Sequence, residues 1–339
     1  MRRFAAMLLS FLSPFLFFLM VVGIRYYQTD PYFDFGPYPN YSWKYNFQIL
    51  GDLSTKKLLE SDKNYNSFIF GSSRSTAYYA CYLEHQLPGS RFFHFASWTE
   101  SIGGMEKRFR LIDSLGMHAA NVFFIIDPDF TFLNDGSISP MDHYLLTGKS
   151  RFTYLAEQHF KQFLDKPSRD KTAIFSGQLP SGATLVNWSS DLRTNDANHT
   201  CSPEVLDAYK INKPISDSLR RKLYESGAMH PRSGIVKYLP DQISKSEEFS
   251  LMAISDLIRK HHSNCRVIIN PAYEQVKLSR RDSLLLRKYL GNFIYDFSGI
   301  NRFTLNERNY TDGKHFQHHT GKEILDEVFK GNRNNVSRN

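Results

Sequence analysis

NSFIFGSSRS, Asn66 to Ser75, is the stretch on which the fold turns. Ser67-Phe68-Ile69-Phe70 is a short apolar run of strand type. Gly71-Ser72-Ser73-Arg74-Ser75 follows at once, and a helical pattern, TAYYACYLEHQL, comes next. A strand that turns on a glycine into a helix leaves the first helical residues at the strand's carboxyl end, where open α/β sheets keep their ligands. A serine there exposes its hydroxyl, and its own N–H is one of the unpaired donors of a helix start. Such a residue can supply both a nucleophile and half of an oxyanion hole. The competing reading is that Ser72, Ser73 and Ser75 simply cap the helix, a position serine favours.

The far end of the chain bears on that choice. Tyr310-Thr311-Asp312-Gly313-Lys314-His315-Phe316 precedes a last amphipathic helix, expected over His319–Phe329. An Asp and a His three apart on a loop can turn toward one point, the carboxylate holding the imidazole near a serine. The two ends together resemble the SGNH (GDSL-like) hydrolase superfamily, and most of all its membrane-anchored bacterial branch of envelope O-acyltransferases and esterases. The resemblance spans Asn66 to Phe329 and rests on its two ends. It implies Ser73 as nucleophile, His315 as base and Asp312 as the group that orients it. The register that aligns Phe93-His94-Phe95-Ala96 puts Thr99 where the family has a glycine N–H as second oxyanion donor. The family's asparagine after the third strand has no counterpart: Asp127-Pro128-Asp129 stands there, and the nearest asparagine is Asn134. A carboxylate is a poor oxyanion donor, so Asp127 is expected to brace the loop or pair with Arg74. Arg74, beside the nucleophile, is placed either to bind an anionic substrate group or to pair with Asp127 or Asp129.

Between the two ends runs an α/β rhythm. Strands are expected over 91–96, 122–126, 265–270 and 293–297, and helices over 103–115, 247–262 and 278–290. Val122-Phe123-Phe124-Ile125-Ile126 is apolar throughout, as buried parallel strands are. The fold class that follows is α/β, a doubly wound and mostly parallel sheet in a three-layer sandwich. Residues 131–245 break the rhythm and read as a large helical and irregular insertion over the carboxyl edge of the sheet, a lid or binding surface. Its Tyr144, Phe152, Tyr154, Trp188, Arg193 and Arg232 are candidates for a glycan groove, although ordinary packing or solvation is the better reading of any one of them. Asp296 is expected to brace the turn Asp296-Phe297-Ser298-Gly299. The domain is set at 63–332 and a disordered tail at 333–339.

Phe4 to Ile24 is an apolar stretch long enough to cross a bilayer. Arg2 and Arg3 before it would stay in the cytoplasm. Residues 1–27 therefore read as an uncleaved inner-membrane anchor and 28–62 as an extracytoplasmic stem, a cleaved signal peptide being the alternative. The formal charge of +8 suits an anionic membrane or an acidic polysaccharide. Nucleic acid is discounted, since no nucleic-acid module is visible. Cys81, Cys201 and Cys265 fit no metal site; Cys81 and Cys265 read as buried thiols, and one disulfide is open but its pair is not selected. His318 and His319 raise a metal with Asp312 and His315, but the serine explains His315 better, so neither metal nor cofactor is expected. The expected protein is a periplasm-facing, single-pass serine O-acyl esterase or O-acyltransferase. Its substrate would be an acylated or acyl-accepting envelope glycan, with other envelope-assembly proteins as partners. The alternatives are a non-catalytic scaffold or glycan-binding protein of the same fold, and a secreted lipase or thioesterase.

Overall fold

The structure, a computed structural model, describes residues 2–29, 54–97, 100–133, 144–146, 150–155, 191, 193–196, 201–211 and 215–336. The chain divides into two compact units, residues 1–50 with 149–188, and residues 51–148 with 189–339. Part of the expected insertion, 149–188, thus groups with the N-terminal residues, and the remainder belongs to the α/β unit.

The first unit holds α1, Arg2–Thr29, with Pro14 inside it, and a short α5, Arg151–Leu155. Met7–Ile24 of α1 is long and apolar enough to cross a membrane. Most of the apolar side chains in that span are exposed, Phe11 at 79%.

The second unit is built on a five-stranded parallel sheet. Its strands are β1 (Ser67–Gly71), β2 (Phe92–Ala96), β3 (Asn121–Ile126), β5 (Asn264–Ile269) and β7 (Ile294–Asp296), in the order β2-β1-β3-β5-β7. The order reverses between β1 and β3, which is where a doubly wound sheet opens a crevice at its carboxyl edge. Phe68 and Phe70 point into one core and Ile69 into the other. Both faces of β1 are therefore covered, which accounts for its unbroken apolar run. On one face lie α4 (Ile102–Ser114), α8 (Lys245–His261) and α9 (Arg280–Leu290), with Phe70 between Phe95 and Phe124 at ring distances of 5.3 and 5.1 Å. On the other lie α3 (Ala80–Gln86) and α11 (His318–Val336). The helix α11 runs into the segment expected as a disordered tail. A two-stranded parallel pair, β4 (Lys237–Tyr238) with β6 (Val276–Lys277), stands apart from the main sheet.

Three expectations are corrected. The end of the stem is not a stem: Ser54–Glu60 forms α2, with Leu58 wholly inside the core and Lys57 buried. Burial drives the Lys57 ammonium down to about 7, against the opposing pull of Asp191 and Asp196. The helix after Ser73 is not continuous either. Ser73–Ala77 is a 3-10 turn, Tyr78 and Tyr79 are extended, and α3 begins at Ala80. Tyr78 and Tyr79 are both buried, so the hydrophobic pull on two tyrosines breaks a helix that local pattern alone would continue. Finally, Cys81 is no free thiol: it is joined to Cys201, with their Cα atoms 5.7 Å apart, leaving Cys265 buried and its thiol pushed up to about 12 by burial.

Candidate active site

Gly71 ends β1, and nothing larger fits there. A Cβ on it would lie 2.5 Å from Ser75 Cβ and 2.9 Å from Ile125 Cβ. The turn it permits folds Ser75 back over the strand end and projects Ser73 outward. Ser72 is the cap, its hydroxyl accepting from the Arg74 N–H at 3.1 Å. The capping reading is thus right for Ser72, and Ser73 is left for other work. As the first residue of the 3-10 turn, Ser73 has an N–H with no partner within that turn.

Ser73 Oγ lies 2.9 Å from His315 Nε2. His315 Nδ1 lies 3.0 Å from Asp312 Oδ2 and 3.1 Å from Oδ1. A carboxylate only accepts, so Nδ1 carries the proton and Nε2 offers its lone pair to the serine hydroxyl. Asp312 also accepts the backbone N–H groups of Lys314 at 2.7 Å and His315 at 2.8 Å. Burial pushes the Asp312 carboxyl up, but the hydrogen bonds and charge of His315 outweigh it and hold the group below the ordinary carboxylate range. The side chains of His315 and Asp312 are 38% and 36% exposed, so the site is open on one side to a ligand.

Two close backbone contacts fix the loop that carries this pair. Tyr310 and Phe316 bridge across its base, and Thr311 N–H donates to His315 O at 2.8 Å. Gly313 lies against Ala228, donating its N–H to Ala228 O at 3.0 Å, and an added Cβ would fall 2.4 Å from that oxygen. Gly321, in the first turn of α11, sits so near the Ser73–Ala77 turn that a Cβ would fall 2.2 Å from Ala77 O. Both glycines are present because backbone must approach backbone. The sequence pattern gives no other reason for them.

Behind the Ser72–Ser75 turn lies a buried polar brace. Ser72 Oγ donates to Asp127 Oδ2, and Asn270 Nδ2 donates to Asp127 Oδ1 at 2.7 Å. Tyr78 OH donates to Asn270 Oδ1 at 2.7 Å. Asp127 and Asn270 close β3 and β5, so the ends of two neighbouring strands hold the turn. Arg74 makes a two-pronged pair with Asp129, 2.9 Å for the second prong, and approaches Asp127 at 3.6 Å. Burial opposes its charge, but Asp127 and Asp129 outweigh that and raise its pKa above a free guanidinium's. Asp127 therefore braces the turn, and Arg74 is held by Asp129. Thr99 and Asn134 lie outside the described residues. Asn270, which the sequence reading passed over, links Asp127 to Tyr78 through its side-chain amide. Its signal was its place, the first residue past an apolar strand.

The remaining candidates divide. Arg193 pairs with Glu84 at 2.6 Å, and Arg232 binds Thr304 O and Leu305 O beneath Tyr273, so both are used within the domain. Trp188 lies outside the described residues. Asp296 braces its turn by accepting the Ser298 N–H at 2.9 Å. His318 faces the Tyr79 ring at 5.1 Å and His319 is buried, which lowers its pKa.

No protein-family model matches this chain, and no curated protein matches it.

Proposed function

We propose that the chain is a membrane-anchored serine O-acyl esterase or O-acyltransferase of the SGNH type, acting on a cell-envelope glycan. The observation that carries it is the unbroken line Asp312–His315–Ser73, with 3.0 and 2.9 Å between the partners, at the carboxyl edge where the strand order reverses. Ser73 Oγ attacks an ester carbonyl as His315 Nε2 takes its proton. The tetrahedral oxyanion is held by the N–H of Ser73. His315 returns the proton to the departing alkoxide, leaving the acyl group on Ser73. Water or a sugar hydroxyl, deprotonated by His315, then takes the acyl group.

Export is supported from two sides. Arg2 and Arg3 open α1 ahead of its apolar span Met7–Ile24, which favours a cytoplasmic N-terminus and a periplasmic domain. The Cys81–Cys201 disulfide belongs in an oxidising compartment. Neutral glycans, acidic glycans and other envelope proteins remain candidate partners.

A non-catalytic scaffold is favoured by one observation: the Asp127 carboxylate that stands after β3 accepts hydrogen bonds and cannot donate to an oxyanion. Incubation of the full chain in detergent with a fluorophosphonate, and separately with an acetylated oligosaccharide, separates the two readings. Phosphonylation of Ser73 with release of acetate supports the enzyme. A folded protein that does neither contradicts it.

A further inference from the structure

A second serine–histidine–aspartate line runs behind the first. Asp196 Oδ1 lies 3.0 Å from His94 Nδ1, and His94 Nε2 lies 2.9 Å from Ser75 Oγ. Ser75 Oγ in turn donates to the carbonyl of Ser72 at 2.6 Å, the residue just before Ser73. Ser75 and His94 are wholly buried and Asp196 is 4% exposed, so no substrate reaches this line. It needs another explanation.

The position of His94 is an expensive place for an imidazole. It sits mid-strand in β2, two residues from Phe92, which enters the core on the same face. A polar group buried there without partners is destabilising. A leucine or phenylalanine would carry no such cost. Its partners come from the insertion. The segment 193–196 runs along β2, the edge of the sheet: His94 N–H donates to Thr194 O at 2.8 Å, and Asn195 Nδ2 donates to His94 O at 2.7 Å. Asp196 also accepts the N–H of Ala80, where α3 begins, at 2.9 Å. The segment is itself tied. Asp191 accepts from Thr194 N–H at 2.6 Å and from Cys201 N–H at 3.2 Å, and Cys201 is bonded to Cys81 of α3.

We infer that Asp196, His94 and Ser75 form a positioning relay that sets the Ser72–Ser73 turn in register with His315, and that Asp191, residues 193–196 and Cys201 are the clamp that completes it. The inference rests on the reaction proposed at Ser73. The turn is gripped on two sides, by Asp127 through the Ser72 hydroxyl and by His94 through the Ser75 hydroxyl and the Ser72 carbonyl. Neither grip touches substrate. Loss of the second grip frees the turn to shift, and a displacement of about 1 Å costs on the order of 100-fold in rate.

The test uses the full chain in detergent, wild type beside Ser75→Ala, Asp196→Asn and the double variant. Two quantities are read: the saturable kinetics of a fluorophosphonate, and the Ser73 Oγ–His315 Nε2 distance in crystals. In variants that still melt cooperatively, the maximal inactivation rate should fall about 10- to 100-fold while the half-saturating probe concentration stays within about twofold. The double variant should be no slower than the worse single one, because the residues act as one unit. The Ser73–His315 distance should open beyond hydrogen-bond range in Ser75→Ala. Should the distance remain at its wild-type value, with inactivation as fast as wild type in the folded fraction, the relay is overturned. A wild type that takes no label defeats the proposed reaction, and the crystallographic distance then decides the relay alone.

Discussion

The two serine–histidine–aspartate lines of this protein share their chemistry and differ in their surroundings. Asp312–His315–Ser73 is more than a third exposed at its acid and base, and its loop stands on two glycine contacts. Asp196–His94–Ser75 is sealed between β2, the nucleophile turn and the insertion. The same three groups in the same order can thus serve as a reacting set where a ligand can enter and as a strut where it cannot. Access separates the two roles, and so does hydrogen-bond direction: the Ser75 hydroxyl donates to the Ser72 carbonyl rather than to its histidine.

The contrast predicts a graded series. Removal of the exposed set should be most severe: Ser73→Ala or His315→Ala should lower any acyl-transfer rate by about 10⁴-fold or more, read by acetate release. Asp312→Asn should follow, at roughly 10³- to 10⁴-fold, since the imidazole loses the partner that fixes its tautomer. The sealed set should show the smaller rate effects described above. If Ser75→Ala proved as damaging as Ser73→Ala, the division of labour between the two lines would be wrong.

Stability sharpens the same contrast. Reduction of Cys81–Cys201, or Cys201→Ser, should cost about 2–5 kcal/mol in denaturant unfolding and should loosen the clamp behind Ser75 more than the exposed loop. Gly321→Ala drives a Cβ toward Ala77 O, a backbone atom that cannot swing aside. It should cost about 1–3 kcal/mol and separate Ser73 from His315. The smallest effect concerns acid. The Asp312 carboxyl is lowered in the folded chain, so its stabilising contribution is present above the unfolded value of about 4 and fades as pH falls through the lower folded one. The stability gap between wild type and Asp312→Asn, measured by thermal melts, should therefore be full at neutral pH and shrink below about pH 4.

What the sequence made legible follows from how local each signal is. The strands were legible because β1, β3 and β5 are short runs buried on both faces. That Ser73, Asp312 and His315 would meet was legible from a turn at one end and a loop at the other, since a doubly wound order must bring both to one edge. The sealed line was not. His94 looked like one residue in an aromatic strand, and its carboxylate partner lies 102 residues later in a stretch without rhythm. Cys81 gave no hint of Cys201 for the same reason. The break at Tyr78-Tyr79 escaped because burial of two aromatics outweighs helix pattern over so short a span. Lys57 and Leu58 were assigned to a stem because a seven-residue helix carries too little periodicity to announce a core face.

The most direct measurement is the site of fluorophosphonate attachment on the full chain, mapped by mass spectrometry, with Ser73→Ala and His315→Ala alongside. The account predicts a single modified serine, Ser73, in the wild type and no modification in either variant. Attachment at Ser72 or Ser75, labelling that persists in His315→Ala, or a folded wild type that takes no label would contradict it.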